Sequence, residues 1–259
     1  MSGPALRRAR RALLPIMALV PGMGTACGSD VVGPDVAVAV ALDFLPFPSV
    51  VAGDSLRDTT GAAVPLRARA FNYLGEELPG IDFGYLILDR GAVVDFSTGI
   101  VQGDSVRDTP VRVVAQLNGL QTQTQPLFIV PVPAVLDTVR GTDTLHYSLT
   151  DTTQNVSAAM GVRLSSAEAP PRPIRGWIVS FRVVYEADSG VVDIVEGTRK
   201  TSIDTTGADG SASRQVRLHV GQLSSTADSV VLEATARYRG EHVSGSPARL
   251  VVHFRPRTQ

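Results

Sequence analysis

Apolar and polar residues alternate along much of the chain from residue 35 onward. In residues 111–117 the odd-numbered positions are apolar, and Arg112 and Gln116 fall between them. A similar period of two occupies residues 64–73, 176–185, 212–220, 230–238 and 248–254. This period is typical of strands with one buried face, whereas a sustained helical period of 3.6 does not occur in the sequence. The pattern therefore predicts an all-β chain whose antiparallel sheets pack face to face.

The alternation also assigns individual side chains to faces. Arg217, Glu233, Arg237 and Arg249 fall on the outward faces of the last three predicted strands. Trp177 shares a face with Val179, Phe181, Val183 and Tyr185, which predicts an inward-facing column. We therefore expect Trp177 to be a core residue rather than an exposed platform for a sugar.

A proline-rich link divides the chain. A strand predicted at residues 127–130 runs into Pro131-Val-Pro133, a stiff connection that forms few hydrogen bonds because neither proline has an N–H. The link predicts two domains, at residues 36–131 and 132–257, each close to the size of one immunoglobulin-like sandwich.

Turn and core motifs in both halves resemble known bacterial domains. The first half contains Asp95-Phe-Ser-Thr-Gly-Ile-Val followed by Gly103, and the second contains Trp177-Ile-Val-Ser-Phe and then residues 205–212. These motifs resemble bacterial immunoglobulin-like (Big) domains, and the second half resembles their invasin-type group. The resemblance implies two tandem immunoglobulin-like β-sandwiches and a role in adhesion or assembly.

The N-terminus has the pattern of an export signal. Four arginines between residues 7 and 11 precede an apolar run at 12–20, which is shorter than the roughly 20 residues that span a bilayer. Thr25-Ala26-Cys27 then resembles the lipobox of bacterial lipoproteins, although Gly24 stands where that family prefers leucine. We predict a cleaved signal peptide at 1–26, lipidation at Cys27 and a tether at 27–35. The resemblance implies a lipid-anchored protein of the cell envelope, at the outer membrane; ordinary secretion with cleavage after Ala26 is the alternative.

Charge and cysteine content limit the possible partners and folds. The formal net charge is −1, and without the four N-terminal arginines 20 basic side chains face 25 acidic ones, or about −5. A mildly acidic protein is a poor partner for a polyanion, and nucleic acid in particular is not expected as a partner. Cys27 is the only cysteine, so an intramolecular disulfide is impossible and packing must stabilise the fold.

Motifs for catalysis are missing from the sequence. It has no Gly-x-Ser-x-Gly elbow and no phosphate-binding loop, and its four histidines lack metal-ligand spacing: His146, His219, His242 and His253. Carboxylate pairs such as Glu76-Glu77 or Asp82 with Asp89 could serve glycoside hydrolysis, but aromatic residues make up only 5% of the chain. We predict a non-enzymatic protein without cofactor; a hydrolase on a sandwich scaffold is the weakest alternative.

One internal repeat is conspicuous. Gly53-Asp-Ser-Leu-Arg-Asp-Thr recurs fifty positions later as Gly103-Asp-Ser-Val-Arg-Asp-Thr. We interpret both copies as structural turns that lead into strands. The alternative is a calcium site, formed if the two turns meet and bring together four carboxylates: Asp54, Asp58, Asp104 and Asp108.

The sequence thus favours a binding or adhesion module on the cell envelope, with a protein or polysaccharide as its ligand. A structural spacer or an accessory subunit of an envelope complex fits the same observations. The proline-rich segment 165–175 is the longest irregular stretch, and we interpret it as an extended surface loop and a potential contact site.

Overall fold

Strands form almost all the regular structure in the computed structural model, which describes residues 33–43, 45, 47–186, 190–222 and 228–257. Two single-turn 3₁₀ helices, Thr152–Gln154 and Val220–Gln222, interrupt them. Within these ranges no helix is long and apolar enough to cross a membrane. The predicted signal peptide at 1–26 and Cys27 lie outside the described residues.

Within the described residues, the first sandwich contains ten strands: β1 (Ala39–Leu42), β2 (Ser49–Val51), β3 (Ala68–Phe71), β4 (Glu77–Leu78), β5 (Gly84–Ile87), β6 (Ala92–Val94), β7 (Val101–Gly103), β8 (Val111–Leu117), β9 (Leu120–Gln121) and β10 (Gln125–Val130). One sheet has the order β1-β3-β4 and the other β2-β10-β8-β5, with β9 paired to β8. Strands β6 and β7 form a separate two-stranded ladder.

The described part of the second sandwich contains twelve strands: β11 (Pro133–Arg140), β12 (Thr142–Tyr147), β13 (Met160–Ser166), β14 (Ile178–Glu186), β15 (Val192–Glu196), β16 (Arg199–Lys200), β17 (Ile203–Thr205), β18 (Ser211–Leu218), β19 (Ser229–Thr235), β20 (Arg237–Tyr238), β21 (Glu241–His242) and β22 (Ala248–Pro256). Its sheets have the orders β11-β13-β18-β15-β16 and β12-β22-β19-β14-β17. Strands β20 and β21 form a hairpin.

Both sandwiches share one topological feature. A short edge strand runs parallel to the last strand, β2 beside β10 and β12 beside β22, whereas the other ladders are antiparallel. The all-β prediction, with two tandem immunoglobulin-like sandwiches, is confirmed. The first sandwich's last strand ends at Val130, and the second sandwich's first strand begins at Pro133.

Local sequence explains most strands. Burial alternates residue by residue along β18, and β8 has the bounds that its pattern predicts. The strand predicted at 64–73 is shorter, since only Ala68–Phe71 joins a continuous ladder. Pro65 makes one isolated bridge to Ile100, and a proline has no N–H to donate to a ladder.

The motif at Asp95 forms a turn. The Asp95 carboxylate accepts the backbone N–H groups of Ser97 at 3.0 Å and of Thr98 at 2.7 Å. The Thr98 N–H is the largest cause that lowers the pKa of Asp95 to about 2. A fixed turn of this kind joins β6 to β7.

One predicted orientation needs correction, and one residue whose outward orientation is as predicted is nevertheless buried. The face shared with Trp177 ends at a β-bulge between Val183 and Tyr185, and the Tyr185 residue is 56% exposed. The prediction that Tyr185 faces the core is therefore wrong. Glu233 pairs across the strands with Arg182 and Arg249 on the outer face, yet it is buried because these two arginines cover its carboxylate.

Residues 34–259 form one compact unit that contains both sandwiches. A single cluster of buried apolar residues includes Val51 and Leu127 of the first sandwich and Leu136 and Trp177 of the second. One continuous core therefore extends from one sandwich to the other through the junction between them.

Candidate functional site

The two copies of the internal repeat meet at the junction. The Gly53 N–H donates to the Gly103 carbonyl at 2.9 Å, and the Gly103 N–H donates to the Asp54 carbonyl at 3.0 Å. Gly53 lies in a turn after β2, closed by the Asp54 N–H and the Val51 carbonyl at 3.0 Å, whereas Gly103 is the last residue of β7, so the interpretation as a turn holds for the first copy only. The repeat also supplies side chains at the junction: Asp54 from the first copy, and Arg107 from the second.

Asp54 connects the two sandwiches through its buried carboxylate, whose side chain is 7% exposed. Within its own sandwich it accepts two hydrogen bonds from the Arg57 guanidinium, at 2.8 and 2.9 Å, and one from the Ser55 N–H at 2.9 Å. From the second sandwich it accepts the Tyr238 hydroxyl at 2.8 Å and the Arg239 Nε–H at 3.0 Å. We call Asp54, Arg57, Tyr238 and Arg239 the junction clamp.

Electrostatics keep this carboxylate ionised. Donation from Arg57 is the main reason why the pKa of Asp54 lies well below its ordinary value, and Arg239, Tyr238 and Ser55 add to the shift while burial opposes it. Burial raises the pKa of Tyr238, and its bond to Asp54 raises it further. The clamp therefore consists of an ionised carboxylate with protonated donors at neutral pH.

A tight hairpin delivers the second sandwich's half of the clamp. Arg239 and Gly240, between β20 and β21, have φ of 51° and 84°, the left-handed pair that a two-residue hairpin turn uses. A non-glycine residue in this region carries backbone strain of about 1 kcal/mol or more. The strained Arg239 is the residue that donates to Asp54.

The hairpin also lies directly against a turn of the first sandwich. A Cβ added to Gly61, whose φ is +93°, would lie 2.3 Å from the Gly240 nitrogen. The Gly61 carbonyl in turn accepts a hydrogen bond from Arg57 at 2.8 Å. The two backbones are too close for a side chain at position 61, so this position requires glycine.

Three aromatic rings form the apolar part of the junction. The Trp177 ring lies 4.7 Å from the Phe47 ring and 6.1 Å from the Tyr238 ring, measured between centroids. The Trp177 residue is 6% exposed, and its Nε1–H donates to the Arg237 carbonyl at 3.1 Å. The prediction that Trp177 is buried is confirmed, and its ring packs against the neighbouring sandwich as well as its own.

Ser49 adds a polar contact that is buried. Its hydroxyl oxygen lies 2.9 Å from the Arg175 carbonyl oxygen and also contacts the Gly176 carbonyl. A Cβ on Gly176 would lie 2.7 Å from this hydroxyl and 2.8 Å from the Phe128 ring. The segment before β14 is therefore held tightly against the first sandwich.

A second part of the junction is an open cleft of about 260 Å³. Arg107 and Asp108 line it from the first sandwich, and Arg172 and Arg175 from the second. Arg172 and Arg175 belong to the proline-rich segment 165–175, for which the sequence predicts a surface loop and a potential contact site. Part of this segment contacts the first sandwich. We call this feature the arginine cleft.

The geometry opposes the calcium alternative. The Asp54 carboxylate is occupied by Arg57 and Arg239, and Asp58 accepts bonds from its own turn, including the Thr60 hydroxyl at 2.6 Å. The Asp108 side chain is 98% exposed and lies 3.5 Å from an Arg172 nitrogen. Within the described residues, no three His, Cys, Asp or Glu side chains are grouped as a metal would require, and the repeat's four aspartates are all described.

The other candidate residues form no group suited to a metal within the described part of the chain. The His219 Nε2 is 3.0 Å from an Asp193 oxygen on the surface, and His146, His242 and His253 are exposed on other strands. Asp89 pairs with Arg112 at 3.0 Å. The structure brings together none of these described residues in a common site.

Sequence reasoning singled out some of the junction residues. The internal repeat points to Asp54, and the alternation along its strand points to Trp177 as a buried residue. No sequence pattern used above points to Ser49, Tyr238 or Arg239. A signal for Arg239 was available, because Arg239-Gly240 follows a strand pattern and could have been read as a tight hairpin turn.

No protein-family model matches this chain, and no curated protein matches it either. Among solved structures it is similar to the adhesin InvE of Yersinia pseudotuberculosis, at 13% identity and a TM-score of 0.36 over 83% of this chain and 58% of that one. It is also similar to domains 4–9 of the surface layer protein SbsC, at 11% identity and a TM-score of 0.29 over 86% of this chain and 32% of that one. Drosophila N-cadherin EC1-4 has 14% identity and a TM-score of 0.29 over 86% of this chain and 51% of that one. The chain thus spans less than two thirds of each of these structures, and a functional conclusion has to rest on the junction.

Proposed function

We propose that this chain is a non-catalytic, exported binding module of the cell envelope, in which two immunoglobulin-like sandwiches act as one rigid unit. The observation that carries the proposal is the junction clamp, with Asp54 accepting hydrogen bonds from both sandwiches. Domains joined by a small polar interface normally move relative to each other. A buried ion network beside a shared aromatic core opposes that motion.

Rigidity suits a binding module because the loops of both sandwiches keep a fixed spacing. A preorganised surface loses less conformational freedom when a ligand binds, and so retains more of the contact energy as affinity. The export pattern at 1–26 and the lipobox-like Cys27 support placement in the envelope, with the lipid as the link to the membrane.

A spacer or accessory subunit of an envelope complex is the second candidate. The same clamp favours it, since a stiff two-domain rod also holds a partner at a set distance. The two functions differ in where the sandwiches face and in whether a ligand binds them.

Protease accessibility in intact cells tests the proposal, with an epitope tag fused after Gln259. We expect protease to remove the tag from intact cells while a periplasmic control protein survives. A tag that stays protected until the outer envelope is opened would contradict an outward-facing binding module and favour the spacer.

A further inference from the structure

The arginine cleft gathers positive charge from both sandwiches. Arg107 comes from the second repeat copy, whereas Arg172 and Arg175 come from the proline-rich segment. Phe128 and Pro131, at the end of the first sandwich, form an apolar part of the lining. The cleft therefore combines guanidinium groups with an apolar surface.

Contacts with the protein hold two of these arginines in place. Arg107 donates to the Arg90 carbonyl and to the Thr109 hydroxyl. The Arg175 guanidinium carbon lies 4.3 Å from the centroid of the Phe128 ring, a stacking contact that does not use its N–H donors. Because a guanidinium carries five N–H donors, both residues retain donors for a ligand.

The cleft's charge is only partly neutralised within the protein. Three guanidinium groups face one carboxylate, that of Asp108. The Asp108 side chain is 98% exposed and only 3.5 Å from the nearest Arg172 nitrogen, so water screens the pair. An anion that enters the cleft would find about two uncompensated positive charges.

We propose that the arginine cleft binds a uronate unit of an acidic polysaccharide, an assignment that rests on the proposed binding function and names its ligand class. Arginine forks match a carboxylate with two parallel hydrogen bonds. The Phe128 ring is already covered by Arg175, so the exposed Pro173 is the residue that suits the apolar face of a sugar ring, and a volume of about 260 Å³ admits roughly one ring. The chain's net charge of −1 disfavours a long polyanion track, so one acidic unit at a single cleft is the expected mode.

Calorimetric titration of the purified full chain with tri-galacturonate tests this assignment. The same trisaccharide as its methyl ester removes the charge and keeps the rings, and inorganic phosphate supplies charge without a ring. We expect tri-galacturonate to bind more tightly than either probe. Equal binding of the ester, or binding of phosphate as tight as that of the trisaccharide, would overturn the assignment.

Variants locate the binding. Arg172→Gln and Arg175→Gln should each weaken tri-galacturonate binding about tenfold, or about 1.4 kcal/mol. Asp108→Asn removes the opposing carboxylate and should strengthen binding about threefold. Arg255→Gln, at an exposed position of β22 that does not line the cleft, is the matched control and should leave the affinity unchanged.

The outcomes separate this assignment from the proposed function. If the tag after Gln259 is removed by protease in intact cells but none of the arginine variants alters tri-galacturonate binding, the uronate assignment is refuted and the binding-module proposal is retained. If the chain faces inward while Arg175→Gln weakens tri-galacturonate binding about tenfold, the outward-facing module is refuted and the uronate assignment is retained. Because Asp108 is exposed, Asp108→Asn keeps the test valid even where an arginine variant fails to fold.

Discussion

Replacing Asp54 by asparagine removes the charge that gathers donors from both sandwiches, and it leaves the side chain almost the same size. The carboxylate accepts five hydrogen bonds, from Ser55, Arg57 (two), Tyr238 and Arg239. An asparagine has only one acceptor oxygen, and its NH₂ group is itself a donor that would face the donors of these residues. The substitution therefore weakens the contacts within the first sandwich and those across the junction.

The magnitude follows from the burial of the partners. A hydrogen bond to a charged group contributes about 1.5 to 3 kcal/mol when it is shielded from water. The Arg57 side chain is 27% exposed and supplies two bonds, whereas the Arg239 side chain is 55% exposed and counts for less than about 1 kcal/mol. We expect Asp54→Asn to lower the free energy of unfolding by about 3 kcal/mol, at the lower end of the cost of breaking a buried pair.

Chemical denaturation followed by tryptophan fluorescence is the appropriate assay. Trp177 is the only tryptophan and lies at the junction, so its emission reports on separation of the sandwiches. The matched control is Asp104→Asn, the same position in the second repeat copy, where the residue is exposed. The control should change the free energy of unfolding by less than about 0.5 kcal/mol.

The reasoning would be refuted if Asp54→Asn and Asp104→Asn gave the same unfolding free energy within about 0.5 kcal/mol. A further check uses small-angle scattering of the folded variants. Loss of the clamp should broaden the distribution of distances for Asp54→Asn and leave that of Asp104→Asn unchanged. A change in stability without any change in scattering would mean that Asp54 stabilises only its own sandwich.

Three further predictions concern the junction and the anchor. Gly61→Ala should lower the free energy of unfolding by about 3 kcal/mol, because its Cβ would lie 2.3 Å from the Gly240 nitrogen. The control Gly75→Ala, at a similar φ of +80° with open space around it, should lower it by only about 1 kcal/mol. Equal losses for the two variants in chemical denaturation would show that the hairpin does not contact Gly61 closely. The folded-state pKa of Asp54 lies below its usual 3.8, so the stability that its carboxylate contributes is fully present above that value and is lost as the pH falls toward the folded-state pKa. The difference in unfolding free energy between wild type and Asp54→Asn should therefore be constant above about pH 5 and shrink between about pH 4 and pH 2. Cys27→Ser should abolish incorporation of labelled palmitate, and undiminished label would rule out the lipid anchor.

The sandwiches could be predicted from sequence because their signal is local. Alternation along β8 and β18 records which side of each strand is buried, and neighbouring residues carry that information. The prediction failed where the backbone departs from regular pleating, at the bulge before Tyr185. Alternation placed Glu233 correctly on an outer face but contained no sign that two long arginine side chains bury it there.

The junction could not be predicted in the same way because its contacts join distant parts of the chain. Ser49 contacts a carbonyl 127 positions away, and Asp54 accepts from Arg239 at a separation of 185. Periodicity contains no information about which residues of one sandwich face the other. The proline link indicates a boundary, and its stiffness does not determine what packs on either side of it.

The two repeat copies show how similar sequences acquire different surroundings. Each copy supplies an Asp-Ser-x-Arg segment to the same end of the first sandwich, where the backbones of the two copies are hydrogen-bonded to each other. The β20–β21 hairpin meets the first copy, so Asp54 becomes buried among donors and holds the sandwiches together. The proline-rich segment meets the second copy with two arginines, so Arg107 is left in an open, positively charged cleft. The difference between a closed clamp and an open cleft therefore lies in which segment of the second sandwich meets each copy.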